Sequence, residues 1–180
     1  MEPLVFKSRR HLLLNTLLIG LLLVSVLAYW YITQLDSSLS YIFLALLIDF
    51  PLLGYFLLVS NTIKIIISEK TLRITSLSAS KEIDLENIIG YFEYKEPLFE
   101  FHLEANFVGA KVKRNNIGEL YYFSPGVRDG LLIEYLNGGK TEKIFITPKE
   151  KTKLIDSLRL VLFQNYNKKI EEYNGRYYIK

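Results

Sequence analysis

The chain has 180 residues, a net charge of +3 and no cysteine. That length holds one ordinary domain plus a membrane segment. The small charge argues against nucleic acid as the main partner, and the lack of cysteine excludes disulfides, thiolate metal sites and cysteine nucleophiles.

Half of the residues are hydrophobic, and they are unevenly spread. Residues 12–60 are nearly free of charge, while residues 61–180 read as a soluble domain. Residues 12–32, LLLNTLLIGLLLVSVLAYWYI, carry no charge at all. As a helix this run measures roughly 30 Å, the thickness of a bilayer's hydrocarbon core. Lys7, Arg9 and Arg10 precede it, which raises the alternative of a cleaved signal peptide. The run is too long for one, and it ends in Tyr29, Trp30 and Tyr31, which suit an interfacial aromatic belt rather than a cleavage site. An uncleaved span is expected.

A second apolar stretch covers residues 39–60, after a polar loop, TQLDSSLS, that contains no lysine or arginine. Basic residues flank the outer ends instead: Lys7, Arg9 and Arg10 before the first span, Lys64, Lys70 and Arg73 after the second. The positive-inside rule then puts both termini in the cytoplasm. A multi-pass protein of the cell membrane is expected, with the lipid bilayer as its first partner.

Asp49 interrupts the second span. A carboxylate at such a depth costs roughly 2.5–3.5 kcal/mol on insertion scales, so its presence asks for a reason. Asp49, Pro51 and Gly54 form a candidate intramembrane contact: a polar group for a partner helix or a break at Pro51, and a small residue that lets helices approach closely. Transport is disfavoured, because two spans alone line no pathway.

Strand patterning starts as the second span ends. Ile63, Ile65 and Ile67 alternate with Lys64, Ile66 and Ser68, and Leu72 and Ile74 share one face of TLRITS. Further strands are expected at residues 81–85, in ENIIGYFEYK, in FEFHLEA, in GELYYFS, and in LLIEYL and KTEKIFI. The last two flank Asn137-Gly138-Gly139, where Asn-Gly suits a two-residue primed turn. About seven strands at short spacing argue for a barrel or sandwich. Thr147-Pro148-Lys149-Glu150 reads as a capping box. The helix it opens carries Leu154, Ile155, Leu158, Val161 and Leu162 on one face and is expected to run to about residue 172.

The stretches IKIIISEKTLRI, KEIDLENIIGY and SPGVRDGLLIEYLNGGKTEKIFITPKEKTKLIDSL resemble the bacterial pleckstrin-homology (PH) domains found behind membrane spans. The last of them is most similar to the subgroup of sublancin-type bacteriocin immunity proteins. The resemblance covers about residues 61–162 and rests on turn, cap and strand patterns, so it speaks to fold more than to function. It implies a PH-like seven-stranded split barrel capped by a C-terminal helix, no cofactor, no catalytic residues, and an immunity protein as one specific reading. The expected fold is a membrane helical hairpin plus a mostly β (α+β) domain. Its parts are a cytoplasmic segment at 1–11, the hairpin at 12–60, the PH-like domain at 61–172 and a tail at 173–180.

Catalytic constellations do not emerge from these residues. Ser124, His102 and Asp129 supply triad types, but no nucleophile-elbow motif surrounds the serine. With only His11 and His102, a metal site would need several carboxylates to complete it. Glu171-Glu172 reads as a solvated face, and Gly138-Gly139 belongs to a hairpin, not a phosphate loop. The basic stretch Lys111, Lys113 and Arg114 is the candidate lipid- or partner-binding patch, since each basic residue near a bilayer adds about 1 kcal/mol of attraction to anionic lipid. Glu93, Glu96, Glu100 and Glu104 argue against nucleic acid. The expected function is a non-enzymatic, membrane-anchored binding module for a protein, peptide or membrane surface. The alternative is an accessory subunit of a larger membrane assembly, with a membrane or cytoplasmic protein as partner or a second copy of the chain.

Overall fold

The structure, a computed structural model, describes residues 3–8, 16, 19–20, 23–27, 30, 62–95, 108–114, 116–124, 127–173 and 176–179. Alternation builds its first sheet. Strands β1 (Leu4–Lys7), β2 (Lys64–Ile67), β3 (Thr71–Thr75) and β4 (Ser80–Asp84) lie in that order, each antiparallel to the next. Ile65, Ile67, Leu72 and Ile74 point inward while Lys64 and Arg73 face out, as their period of two demands.

Seven strands make the second sheet, in the order β10-β11-β5-β8-β9-β7-β6. These are β5 (Ile88–Lys95), β6 (Lys111–Arg114), β7 (Gly118–Phe123), β8 (Asp129–Asn137), β9 (Lys140–Ile146), β10 (Ile170–Tyr173) and β11 (Arg176–Ile179). Every pairing is antiparallel except β7 with β9. The β8–β9 hairpin falls where expected, one residue later in register. Asn137 pairs with Lys140, and the turn is Gly138-Gly139, with φ of +56° and +81°. Two positive φ values define the primed turn that matches strand twist, and glycine reaches them without steric penalty.

Helix α1 (Lys151–Tyr166) packs on the sheets through Leu154, Ile155, Leu158, Val161 and Leu162, the five residues that helical spacing marks. They join the inward residues of both sheets in one core, among them Ile144, Ile146, Leu131 and Ile133. Each such side chain contributes about 1.5–3 kcal/mol by leaving water. A second cluster, Val112, Leu120, Tyr122, Leu132 and Phe145, occupies the other face of the seven-stranded sheet.

Both ends of α1 depart from the expectation. The capping box does not form: Glu150 is the N-cap residue and makes no side-chain cap. Thr147 is fully buried and its hydroxyl lies 3.0 Å from that of Ser8, while Pro148 forms a β-bridge with Ser8. Tertiary contacts took the capping residue. At the other end Asn167 turns left-handed (φ 51°) and its N–H meets the carbonyls of Leu162 and Phe163. That cap stops the helix at Tyr166, and the residues expected to continue it form β10 instead.

The described residues are thus mostly β, with two sheets and one main C-terminal helix. Strands β1, β10 and β11 were not expected, and β11 falls within the expected tail. The expected strand at residues 99–105 lies outside the described residues. So do the second expected span and, with it, Asp49, Pro51 and Gly54. Among the described residues no helix is long and apolar enough to cross a membrane. Within the first expected span, residues 16, 19–20, 23–27 and 30 are described and helical. Ile19, Leu23, Val24, Val26, Leu27 and Trp30 are 44–65% exposed there, whereas Ser25 is buried.

One pairing governs how this run joins the domain. β1 precedes it and β2 follows it, and the two are antiparallel neighbours, Lys7 opposite Lys64. The Ser8 N–H reaches the Ile63 carbonyl at 3.1 Å. The described residues on either side of 9–61, Ser8 and Thr62, therefore lie close together.

Candidate functional site

Strand alternation divides the expected basic patch. Lys111 and Lys113 are exposed, but Arg114 points to the opposite face and is 1% exposed, its guanidinium 5.5 Å from the Tyr122 ring centroid. Lys111 is paired with Glu119 at 2.9 Å, and this contact raises the lysine pKa and lowers that of the glutamate. Lys113 stands opposite Glu119 in the register. The three cations do not share one face.

Ser124, a triad type, is structural. It is 1% exposed, donates to the Val127 carbonyl at 2.8 Å and accepts from the Val127 N–H at 3.0 Å. Thr147 Oγ1 lies 3.4 Å from it and 3.0 Å from Ser8 Oγ, which also reaches the Thr147 carbonyl at 2.9 Å. Three buried hydroxyls thus tie the segment after β1 to the end of β9. His102 lies outside the described residues, and Asp129 pairs with Lys151 at 3.3 Å. Among the described residues no group of acids and histidines is arranged to hold a metal ion.

What the structure does assemble is a cleft of about 550 Å³ between α1 and the β10–β11 hairpin. Arg159 and Phe163 of α1 form one wall; Lys168, Lys169, Ile170, Glu171, Glu172 and Tyr177 form the other. Arg159 is held in place from within: its Nε donates to the Tyr91 hydroxyl at 2.8 Å and its guanidinium lies 4.6 Å from the Tyr177 ring centroid. Tyr91 and Tyr177 stack at 5.0 Å. Burial pushes the Tyr91 hydroxyl's pKa upward, so it stays neutral. Phe163 is 60% exposed and Tyr173, on β10, 68%. Among the described residues the order β10-β11-β5 leaves β10 at the sheet edge. A cleft lined by both cations and carboxylates, with exposed rings and a strand edge beside it, suits an extended polypeptide better than a compact anion. It offers no pair of groups placed to act as nucleophile and base.

A smaller cleft of about 280 Å³ lies where β1 meets the start of α1, lined by Val5, Phe6, Lys7, Lys149 and Glu150. The Lys149 N–H bonds the Lys7 carbonyl at 2.9 Å. Neither cleft was legible in advance. The larger lies within residues 159–177 but depends on the helix stopping at Tyr166, which helical spacing did not signal. The smaller joins residues 5–7 to 149–150, its one local signal being the short run LVFK ahead of the apolar stretch. No family model, curated protein or solved structure matches the chain.

Proposed function

We propose that the chain is a non-enzymatic, membrane-anchored binding module of PH-like architecture that holds a polypeptide partner at the cytoplasmic face of the cell membrane. The β1–β2 pairing carries this reading. If residues 12–60 enter a bilayer, a chain that leaves and returns at one place crosses it an even number of times, which agrees with the charge asymmetry of the flanks. The exposed apolar residues at 19, 23, 24, 26, 27 and 30 support the same view, because in lipid such a surface carries no hydration penalty. Two stacked β layers and a C-terminal helix are compatible with the PH-like resemblance. Anchoring raises the effective concentration of the cleft toward any partner at the same membrane, so modest intrinsic affinity suffices.

Because the chain has no cysteine, single introduced thiols report sidedness cleanly. Ser37→Cys is expected to label from outside intact cells and Lys140→Cys only after permeabilisation. Labelling of both from one side defeats the hairpin. A photo-crosslinker at Glu172 is expected to join a polypeptide in native membranes, with the same group at Lys140 as control; equal yields at both positions defeat the cleft. The resemblance further implies protection against a membrane-active bacteriocin. Expression in a sensitive host is expected to raise survival, and unchanged survival removes that version.

A further inference from the structure

We infer that the end of the domain carrying Leu77, Lys7 and Lys149 rests on the bilayer, with Leu77 dipping into the headgroup boundary and the two lysines holding the phosphate of an anionic phospholipid. The inference rests on the anchored reading and deepens it. Ser8 and Ile63, which flank residues 9–61 and are joined by a hydrogen bond, mark under that reading which end of the domain faces the membrane. The turn at residues 76–79 lies at this end, since the Leu77 N–H donates to Thr62 Oγ1 at 3.1 Å.

That turn is built to present one leucine outward. Ser76 Oγ bonds the Ala79 carbonyl at 3.1 Å and accepts from the Ala79 N–H at 3.0 Å, so the turn closes on itself. Leu77 is left 59% exposed at a position where small polar residues are the usual choice. Next to water it gains nothing; at a lipid boundary it buries its side chain.

The lysines supply the charge. Two neighbouring cations are already paired, Lys151 with Glu93 and Asp129 at 2.7 and 3.3 Å and Lys153 with Glu150 at 2.6 Å. Exposed Lys64, opposite Lys7 in the register, adds to the positive charge of this end. Lys7 and Lys149 line the 280 Å³ cleft, and neither has a carboxylate partner among the described residues. The one acid on the cleft, Glu150, is held by Lys153, so the cleft's uncompensated charge is positive. A lipid phosphate is the anion that the anchored geometry brings to this place, and two ammonium groups suit it as point charges.

The test uses the full chain in nanodiscs, with Leu77→Cys as the sole thiol carrying an environment-sensitive fluorophore. Doxyl-labelled lipid is expected to quench this probe in discs of phosphatidylglycerol and phosphatidylcholine, and more weakly in phosphatidylcholine alone. The same probe at Lys70, in the β2–β3 turn at the far end of these strands, is expected to stay unquenched. In the Lys7→Gln/Lys149→Gln double variant the extra quenching from phosphatidylglycerol is expected to vanish; at about fivefold in lipid partitioning per lysine the combined loss is about 25-fold. No quenching at position 77 in a chain that resists carbonate extraction overturns this inference and leaves the anchor standing. A chain that carbonate extracts overturns the anchor itself. An unchanged phosphatidylglycerol effect in the double variant overturns the lysine assignment. Loss of that effect on adding inorganic phosphate at constant ionic strength overturns the lipid in favour of a soluble ligand.

Discussion

The first and last strands of this chain do the same job by different chemistry. β1 and β11 are both four residues long, and each adds to a sheet that the middle of the chain has already built. β1 is fastened by buried hydroxyls: Ser8, Thr147 and Ser124 form one connected set, and the Lys7 carbonyl accepts from Lys149. β11 is fastened by ring and guanidinium stacking, through Tyr177 and Arg159, both partly exposed, on the buried Tyr91. Buried hydrogen bonds tolerate no partial loosening, since a separated hydroxyl is left unsatisfied, whereas a stack in contact with water loosens by degrees. The first strand should therefore hold or fail with the whole domain, and the last should open alone. That division suits an anchor at one end and a partner cleft at the other.

Two glycines test this division with one substitution. A Cβ on Gly130 would stand 2.4 Å from the Ile146 carbonyl oxygen and 2.7 Å from the Phe145 ring, just past the end of the β8–β9 ladder, where Leu131 pairs with Ile146, the residue before Thr147. Gly130→Val is expected to destabilise the domain by about 3 kcal/mol or more and to release β1 with it. Chemical denaturation should show one cooperative transition at lower denaturant. A Cβ on Gly90 would stand 2.9 Å from the Tyr177 carbonyl oxygen. Gly90→Val is expected to cost about 2 kcal/mol, limited to what the β10–β11 hairpin contributes. Hydrogen exchange should accelerate at Tyr177 and Tyr178 and stay slow in β8. Global unfolding in the second variant would erase the contrast.

These contrasts also explain what was legible in advance. The inward faces of β2 and β3 and the buried face of α1 follow from local periodicity, and the structure keeps all five helix residues. β1 escaped because four residues beside a long apolar run look like its flank, and the strand they pair with lies beyond that run. β10 escaped because Lys168, Lys169 and Ile170 continue a helical pattern, and only Asn167, a residue that tolerates the left-handed conformation, signals the stop. The capping box was a real local preference that a buried hydroxyl network outbid. The candidate site was least legible. Composition marked Lys111, Lys113 and Arg114 as one basic group, but a strand sends neighbours to opposite faces, and Arg114 lies in the second apolar cluster beside Tyr122.

Thr147→Val probes the first clasp directly while keeping its shape. The change removes the oxygen that lies between the Ser8 and Ser124 hydroxyls, yet leaves the Thr147 carbonyl for Ser8. The expected destabilisation is about 1–2 kcal/mol. If the hydroxyl network fastens β1, the amide of Ser8 should gain exchange in step with the domain as a whole. Faster exchange at Ser8 alone would show that β1 opens independently, and the two end strands would then be alike.

Glu142 supplies the smallest effect and a control that touches neither clasp. It joins the two sheets, with its carboxylate accepting from Tyr135 at 2.8 Å, Asn137 at 3.1 Å and Lys81 of β4 at 3.2 Å. Burial pulls its pKa upward, but the three donors together outweigh that, and the group is held below the ordinary carboxylate value. A carboxylate with a depressed folded pKa stabilises the fold above its unfolded pKa, and the contribution fades as pH falls through the folded value. The wild-type domain should therefore lose part of its stability on acidification below about pH 4.3, the ordinary glutamate pKa. In Glu142→Gln that part should already be missing at neutral pH, as a loss of about 1 kcal/mol, and the acid slope should flatten. Exchange at Ser8 and at Tyr177 should keep the wild-type ratio throughout the titration. A change in that ratio would mean that the contact between the sheets, and not the chemistry of each clasp, sets which end of the chain opens first.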